Sequence, residues 1–445
     1  MPTDDGDRGF HERPAELLQH LIRYDTTNPP GNEAACVSFI QGLLENAGIE
    51  TTIRALDPNR PSLIARLKGR GDAPPFLMQG HVDVVTTEKQ DWTHPPFSGD
   101  LIDGYVWGRG ALDMKGAVAC MVAALLRAVD RGMTPAGDIL LAVLPDEEAG
   151  GDYGARWLVK EHPELFEGVR YSIGEAGGET TYLEGRKLYP IQVSEKQRCE
   201  MRAVLRGPGG HGSLPTRGGA MGKLGKMLSA MDANRLPVRI SEPSRAMVEG
   251  IAAGLDGQAR DMVLALLDPE KTNSVLDRLG IIGRGLDAVL HNTANATIVS
   301  GGYKVNVIPS EITVGIDGRL VPGATPDDMI EDLRGVIGYD ADLEVVTYDP
   351  YDVKPDMKLY GVMADILKEA DPEGTPFPYV LSGVTDGRHF AKLGIQNYGF
   401  TPLLLPDDPS LVMTVHDADE RVPAEALDFG VDCTYKLLER YGPLD

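Results

Sequence analysis

The chain is short of cysteine, short of positive charge and without a long apolar run. Its four cysteines, Cys36, Cys120, Cys199 and Cys433, lie far apart and form no C-x-x-C pair. That spacing excludes a disulfide framework and predicts a reducing, cytoplasmic setting. Lysine and arginine number 43 against 67 aspartates and glutamates, a formal net charge of −24. Such a surface opposes nucleic acid and anionic membranes, so neither is an expected partner. The stretch "AVACMVAALL" follows Lys115 and Gly116 and is too short to span a bilayer. The opening "MPTDDGDRGFHERP" lacks the basic start and apolar stretch of a signal peptide. No low-complexity tract and no internal repeat interrupts the chain.

What is present is the composition of a globular protein, 42% apolar and 25% charged. With 445 residues the chain exceeds one compact core, so two or three domains are expected. Residues 14–48 read as two helices around the break "TTNPPGN", with Asn32 placed to cap the second. "SLIARLKG", "PFLMQGHVDVV", "GDILLAVLPDEEAGG" and "VRYSIGEAGG" read as strands. "DMKGAVACMVAALLRAVDRG", stopped by Gly132, and "YGARWLVKEHPELF" read as helices between them. The alternation predicts an α/β fold with a mostly parallel sheet. After about Tyr189 the texture changes. "CEMRAVLRGPGG" alternates like a half-exposed strand, and a helix, two strands, a capped helix ("TPDDMIEDLRGVIG") and a strand ("DLEVVTYD") follow. That β-α-β-β-α-β succession predicts a ferredoxin-like α+β unit inserted into the first domain. The expected division is 1–191 and 351–445 for the main domain and 192–350 for the insertion, with a helical addition at about 238–296.

Polar residues gather just past the apolar strands. His81 and Asp83 follow "FLMQG", Glu147 and Glu148 follow "ILLAVLPD", Glu175 follows "VRYSIG", and His416 follows "PSLVMTV". Asp113 stands at a helix start. In an open α/β sheet, ligands bind beyond the carboxyl ends of the strands. Singly, each residue has a plain structural reading: a satisfied histidine, a helix cap, a solvated acidic turn. Together they put imidazole and carboxylate groups, the ligands that suit zinc, around one crevice.

The motifs "GHVDVV", "DGYVWGRGALDMKG", "LPDEEAGG", "GGHGSLP", "VNVIPSE", "VTDGRHF" and "HDADERV" resemble those of one family. It is the two-zinc metallopeptidase family of aminoacylase, carboxypeptidase S, acetylornithine deacetylase and succinyl-diaminopimelate desuccinylase. The resemblance runs from about Leu17 to the C-terminus and is nearest the aminoacylase–carboxypeptidase S branch. It implies a zinc-exopeptidase-like catalytic domain with an inserted lid and dimerisation domain. It also implies two Zn²⁺ per subunit, for which Co²⁺ or Mn²⁺ can substitute. By the family pattern His81 and Glu175 bind the first zinc, Glu148 and His416 the second, and Asp113 bridges them. The peptide after Asp113 is implied to be cis. Glu147 is the implied general acid/base, and Asp83 fixes the tautomer of His81.

The three carboxylates leave residual positive charge between two divalent ions, which favours hydroxide over water as the attacking species. Glu147 would pass that water's proton to the leaving amine. His211 is implied to stabilise the tetrahedral intermediate, from the partner subunit of a homodimer. Asn306 is implied to bind the transition state, and Arg319 the substrate carboxylate. Gly383, Thr385, Asp386 and Arg388 form a candidate substrate loop, with Arg388 a rival carboxylate clamp. His94 reads as structural, and His389 has no assigned role. The expected activity is hydrolysis of an N-acyl amino acid or a short peptide. The alternatives are a deacylase or desuccinylase of a biosynthetic metabolite, and, from another class, an inactive metal-binding scaffold.

Overall fold

The computed structural model describes residues 9–280, 283–339, 341–351 and 354–444. The acidic opening stretch, expected to lack a leader, lies mostly outside them. Among the described residues the larger sheet has nine strands. Eight are successive neighbours in the order Glu50–Arg54, Ser62–Leu67, Ile139–Leu144, Phe76–His81, Tyr171–Gly174, Gln396–Gly399, Arg186–Glu195 and Thr375–Leu381. Thr181–Leu183 pairs with Arg186–Glu195. The centre is parallel: Phe76–His81 runs with both Ile139–Leu144 and Tyr171–Gly174, and Tyr171–Gly174 with Gln396–Gly399.

These strands are continuous apolar runs because both faces are covered. Every residue of Phe76–His81 and Ile139–Leu144 is buried. Phe76 and Met78 join the core made by helices Pro14–Ile22, Ala34–Asn46, Lys115–Asp130 and Ala424–Arg440. Leu77 and Leu140 face the other way, onto Ala155, Leu158, Phe166 and Phe390. Lys115–Asp130 is buried all round from Lys115 to Leu126, which explains its gapless apolar sequence. Among the described residues no helix is long and apolar enough to cross a membrane.

The second sheet is antiparallel, in the order Thr293–Ser300, Glu311–Leu320, Gln197–Arg206, Asp342–Asp349. Helices Ala220–Ala233 and Pro326–Ile337 share its core. The succession is the ferredoxin-like one the sequence predicts. Alternation along Gln197–Arg206 buries every second residue, as a sheet with one open face requires. Thr325 and Asp328 form the capping box that starts Pro326–Ile337.

Three local expectations are corrected. Helices Glu242–Ala253, Gly257–Leu264, Thr272–Leu279 and Gly283–Leu290 do form, but they share a core with Leu188, Phe377 and Val380 of the large sheet. They therefore cover the end of the main sheet rather than extend the inserted one. Asn32 does not cap the second helix: Glu33 holds that position, with no side-chain capping bond. "PSLVMTV" is not a strand; it forms a short helix, Pro409–Val412, and a turn. Only Leu411 of that run is fully buried, and Met413 is 75% exposed.

Candidate active site

The parallel centre of the large sheet opens three loops at one edge, after His81, Leu144 and Gly174. His81 is the last residue of its strand and 1% exposed. Its Nδ1 lies 3.0 Å from the Asp83 carbonyl oxygen, so this nitrogen carries the proton and donates it. Nε2 is left to face Asp113 Oδ1 at 3.2 Å and Glu175 Oε2 at 3.7 Å. On the far side, His416 Nε2 lies 3.1 Å from Asp113 Oδ2 and 3.3 Å from Glu148 Oε1. Asp113 thus turns one oxygen to each histidine. His81, Asp113 and Glu175 form one trio, and Asp113, Glu148 and His416 another. Within each, the ligand-capable atoms lie inside 4.8 Å of one another.

Each part is held. Glu420 is fully buried, and its carboxylate accepts the backbone N–H groups of Gly110 (3.0 Å), Leu112 (2.8 Å) and Asp113 (3.0 Å). Arg109 donates to the same carboxylate at 2.6 Å. The Asp113–Met114 peptide is cis, as the resemblance implies. Two residues past Asp113, Lys115 sends its ammonium into the protein, where Leu21 and Tyr24 carbonyls accept at 3.1 and 2.7 Å. The Asp83 carboxylate accepts the N–H groups of Glu147 (3.1 Å) and Glu148 (3.2 Å). Asp83 therefore orients both His81 and the acidic turn. His416 sits at φ +64°, and its carbonyl accepts from Gln90 at 2.8 Å. Gln90 in turn accepts from Arg109 at 2.8 Å, tying the His416 loop to the Glu420 clamp.

Electrostatics fit a cation site. Burial alone would raise Asp113, but hydrogen bonds from His416 and His81 hold its carboxyl below the usual range. Contact with Asp113 and Glu148 pushes His416 up to about 10. Burial would depress His81, yet bonds to Asp113, Asp83 and Glu175 raise it well above 6.5. Burial, and then the charge of Glu175, raises Glu147 well above 4.5. Crowded carboxylates thus demand positive charge, and in the bare protein the imidazoles supply it as protons. The donor set of two imidazoles and three carboxylates suits divalent ions of the zinc type.

The site floors a cavity of 720 Å³. Arg319, Gly383, Thr385 and Arg388 line it, along with Glu147, and so does Arg198, which the sequence reading missed. Arg198 lies directly opposite Arg319 across paired strands. Alternation put both on the open face, but only strand register brings them together. Apolar side chains line it as well, among them Leu112, Leu381, Leu403, Leu405, Val412 and Val415. His211 and Asn306 are not among the lining residues. Their two segments pair instead: His211 lies opposite Val307, and Gly212 donates to the Asn306 carbonyl at 2.9 Å. His94 packs edge-on against Trp107 at 4.7 Å. His389 is fully buried, beside the cavity-lining Arg388. Glu420 was also missed, although it stands inside the quoted "HDADERV".

A family model described as Peptidase family M20/M25/M40 matches residues 77–440. The chain belongs to this family. M20 membership makes it a metallo-hydrolase acting on amide bonds, as the motifs implied. It is 28% identical over 406 residues to the Dictyostelium discoideum "Probable carboxypeptidase S-like 2", covering 85% of this chain and 74% of the relative. It is 28% identical over 378 residues to the Xenopus tropicalis "N-fatty-acyl-amino acid synthase/hydrolase PM20D1", covering 82% and 72%. A "Succinyl-diaminopimelate desuccinylase" of Paracoccus denitrificans (strain Pd 1222) is 27% identical over 442 residues, covering 96% and 98%. Among solved structures, the M20 family metallo-carboxypeptidase Sso-CP2 from Sulfolobus solfataricus superposes with a TM-score of 0.66. At 17% identity, over 96% of this chain and 98% of that one, it establishes the shared fold.

Proposed function

We propose that this M20 enzyme works with two divalent cations, zinc being the expected pair. Its substrate is an N-acyl amino acid or short peptide with a free carboxylate and an apolar group. The observation that carries the reading is the Asp113 carboxylate, one oxygen toward His81 and Glu175 and the other toward His416 and Glu148. His81, Asp113 and Glu175 would hold one cation, and Asp113, Glu148 and His416 the other. When bound, such a pair polarises the scissile carbonyl and makes water more acidic. Glu147 takes the proton of the attacking water and delivers it to the leaving nitrogen. In the metal-free protein, burial and then the charge of Glu175 raise its proton affinity, the direction a proton acceptor needs.

Arg319 and Arg388 receive the substrate carboxylate, with Thr385 and Gly383 shaping the loop around it. The apolar lining residues, Leu112 and Val415 among them, take the apolar acyl group or side chain. The printed name of the Xenopus relative, an N-fatty-acyl-amino acid synthase/hydrolase, agrees with that apolar lining. His211 and Asn306 act on the intermediate from a second subunit, in a homodimer built through the inserted sheet. Two features support this: neither residue lines its own cavity, and the edge strand Thr293–Ser300 leaves Ile298 and Val299 exposed. A cytoplasmic setting is supported by the four free, buried cysteines.

The test is a substrate panel on zinc-loaded protein. It would comprise N-acyl amino acids of increasing chain length, their C-terminal amides, dipeptides and N-succinyl diamino acids. Turnover should rise with acyl length and fall when the carboxylate is amidated. Turnover confined to succinylated or acetylated diamines would replace this reading with the biosynthetic one. Protein that retains no zinc, and gains no amidase activity from zinc or cobalt, would point to a scaffold.

A further inference from the structure

The segment "TTNPPGNE" reads in sequence as punctuation between two helices. In the fold it lies directly behind the acidic turn. Thr26 Oγ1 donates to the Val82 carbonyl at 2.5 Å, the Asn28 N–H donates to the Val84 carbonyl at 2.8 Å, and the Val84 N–H donates to the Thr26 carbonyl at 3.1 Å. The loop is thereby stitched to the chain on either side of Asp83. Asn28 is 6% exposed and spends both amide hydrogens on carboxylates. One goes to Asp83 Oδ2 at 2.8 Å, the other to Asp146 Oδ1 at 3.1 Å.

Asp146 immediately precedes Glu147 and sits in the left-handed region at φ +73°, where an aspartate needs support. Its support is complete. Arg60 Nη1 donates to Oδ1 at 2.8 Å, and the Tyr153 N–H donates to Oδ2 at 3.0 Å. Arg60 is itself anchored in the same loop, through Glu33 at 2.7 Å, and its guanidinium lies over the Tyr153 ring at 4.8 Å. Gly31, at φ +82°, lets the arginine pass: a β-carbon there would come within 2.1 Å of Arg60 Nε. A closed chain of contacts therefore runs from Glu33 through Arg60, Asp146 and Asn28 to Asp83. From Asp83 it reaches the N–H groups of Glu147 and Glu148 and the ring of His81.

We infer that Asn28 and Arg60 are positioning residues of the catalytic centre. They hold Asp83 and Asp146, and through them fix where the turn presents Glu147 and Glu148. Neither touches the cavity, so their effect passes entirely through the two aspartates. The inference rests on the roles proposed for Glu147 and Glu148, and its test reads cation binding separately from turnover.

Asn28→Ala and Asn28→Leu remove both amide bonds; the leucine keeps the volume. Each should lower kcat by about ten- to a hundredfold with KM within about twofold, the range for residues that orient metal ligands. Cobalt titration, followed by visible absorption without substrate, should show one of two cation sites weakened by about tenfold or more. Arg60→Lys, which keeps the charge but not the forked contact to Glu33 and Asp146, should show the same pattern in milder form. Variants that melt earlier yet keep kcat and both cobalt affinities would overturn the inference and leave the loop a structural brace. Should the alanine and leucine forms fail to fold, Arg60→Lys decides alone by the same two readouts. Wild-type protein that binds cobalt at both sites but hydrolyses no amide would defeat the proposed function while leaving the cobalt comparison decisive.

Discussion

At the scale of single residues, proton traffic is the clearest consequence of the geometry. Two cavity-lining carboxylates, Glu147 and Glu179, stand outside both ligand-capable trios, and Glu147 is the one next to the trio residue Glu148. Glu147→Gln keeps its shape and its backbone bond to Asp83 but cannot accept a proton. That variant should retain its metal content by elemental analysis and lose kcat by about a hundredfold or more. Loss of metal together with activity would make Glu147 a ligand instead. A second prediction concerns pH. In the bare protein Asp113 and Glu148 hold His416 up to about 10, so near neutral pH its ring carries a proton. A cation needs the neutral ring and must expel that proton. Apparent affinity should therefore rise with pH toward about 10, roughly tenfold per unit for each proton released. Calorimetric titration of zinc in two buffers of different ionisation enthalpy measures that release; binding heats independent of buffer would refute it. The polar residues at His81, Glu147, Glu148 and Glu175 were readable because each ends or follows an uninterrupted apolar strand. Asn28, Arg60, Arg198 and Glu420 were not, because their partners lie tens to hundreds of residues away and only the folded chain brings them together.

At the scale of elements, the approach to Asp113 depends on a buried carboxylate rather than on regular structure. The loop at 108–113 has no strand or helix of its own, and three of its backbone N–H groups end on Glu420. Glu420→Ala leaves Arg109, 1% exposed, as an unpaired buried cation. Breaking one side of a buried pair costs about 3–5 kcal/mol. Chemical denaturation should register a loss of that order, and zinc affinity should fall as Asp113 loosens. A stable Glu420→Ala protein with normal zinc affinity would show that the loop holds itself. Regular elements were well anticipated where the pattern has one period, as in the fully buried Lys115–Asp130 or the alternating Gln197–Arg206. "PSLVMTV" misled because its apolar residues do not enter a sheet: Val412 and Val415 face the cavity instead. The helices between Glu242 and Leu290 show the same limit. Their type followed from periodicity, but nothing in their own sequence says that Leu188, Phe377 and Val380 are what they cover.

For the whole molecule, the roles proposed for His211 and Asn306 depend on a second subunit. Both sit on the inserted unit, His211 is exposed, and its Nδ1 meets Ser213 Oγ at 2.7 Å and the Ser213 N–H at 3.3 Å. In the proposed homodimer, a second chain joined along the Thr293–Ser300 edge would carry that face to a neighbouring cavity. This arrangement makes a prediction that separates action between subunits from action within one. Glu147→Gln and His211→Ala proteins should each be nearly inactive alone. In a mixed dimer, the subunit that keeps Glu147 faces a partner that keeps its histidine, so one complete site forms. Unfolding, mixing and refolding equal amounts should restore about a quarter of the wild-type sites, since half the dimers are mixed and each has one good site in two. Light scattering on the same sample would establish the dimer. No recovery from a confirmed dimer would place His211 in its own subunit's chemistry, reached by closure of the inserted unit over the main sheet.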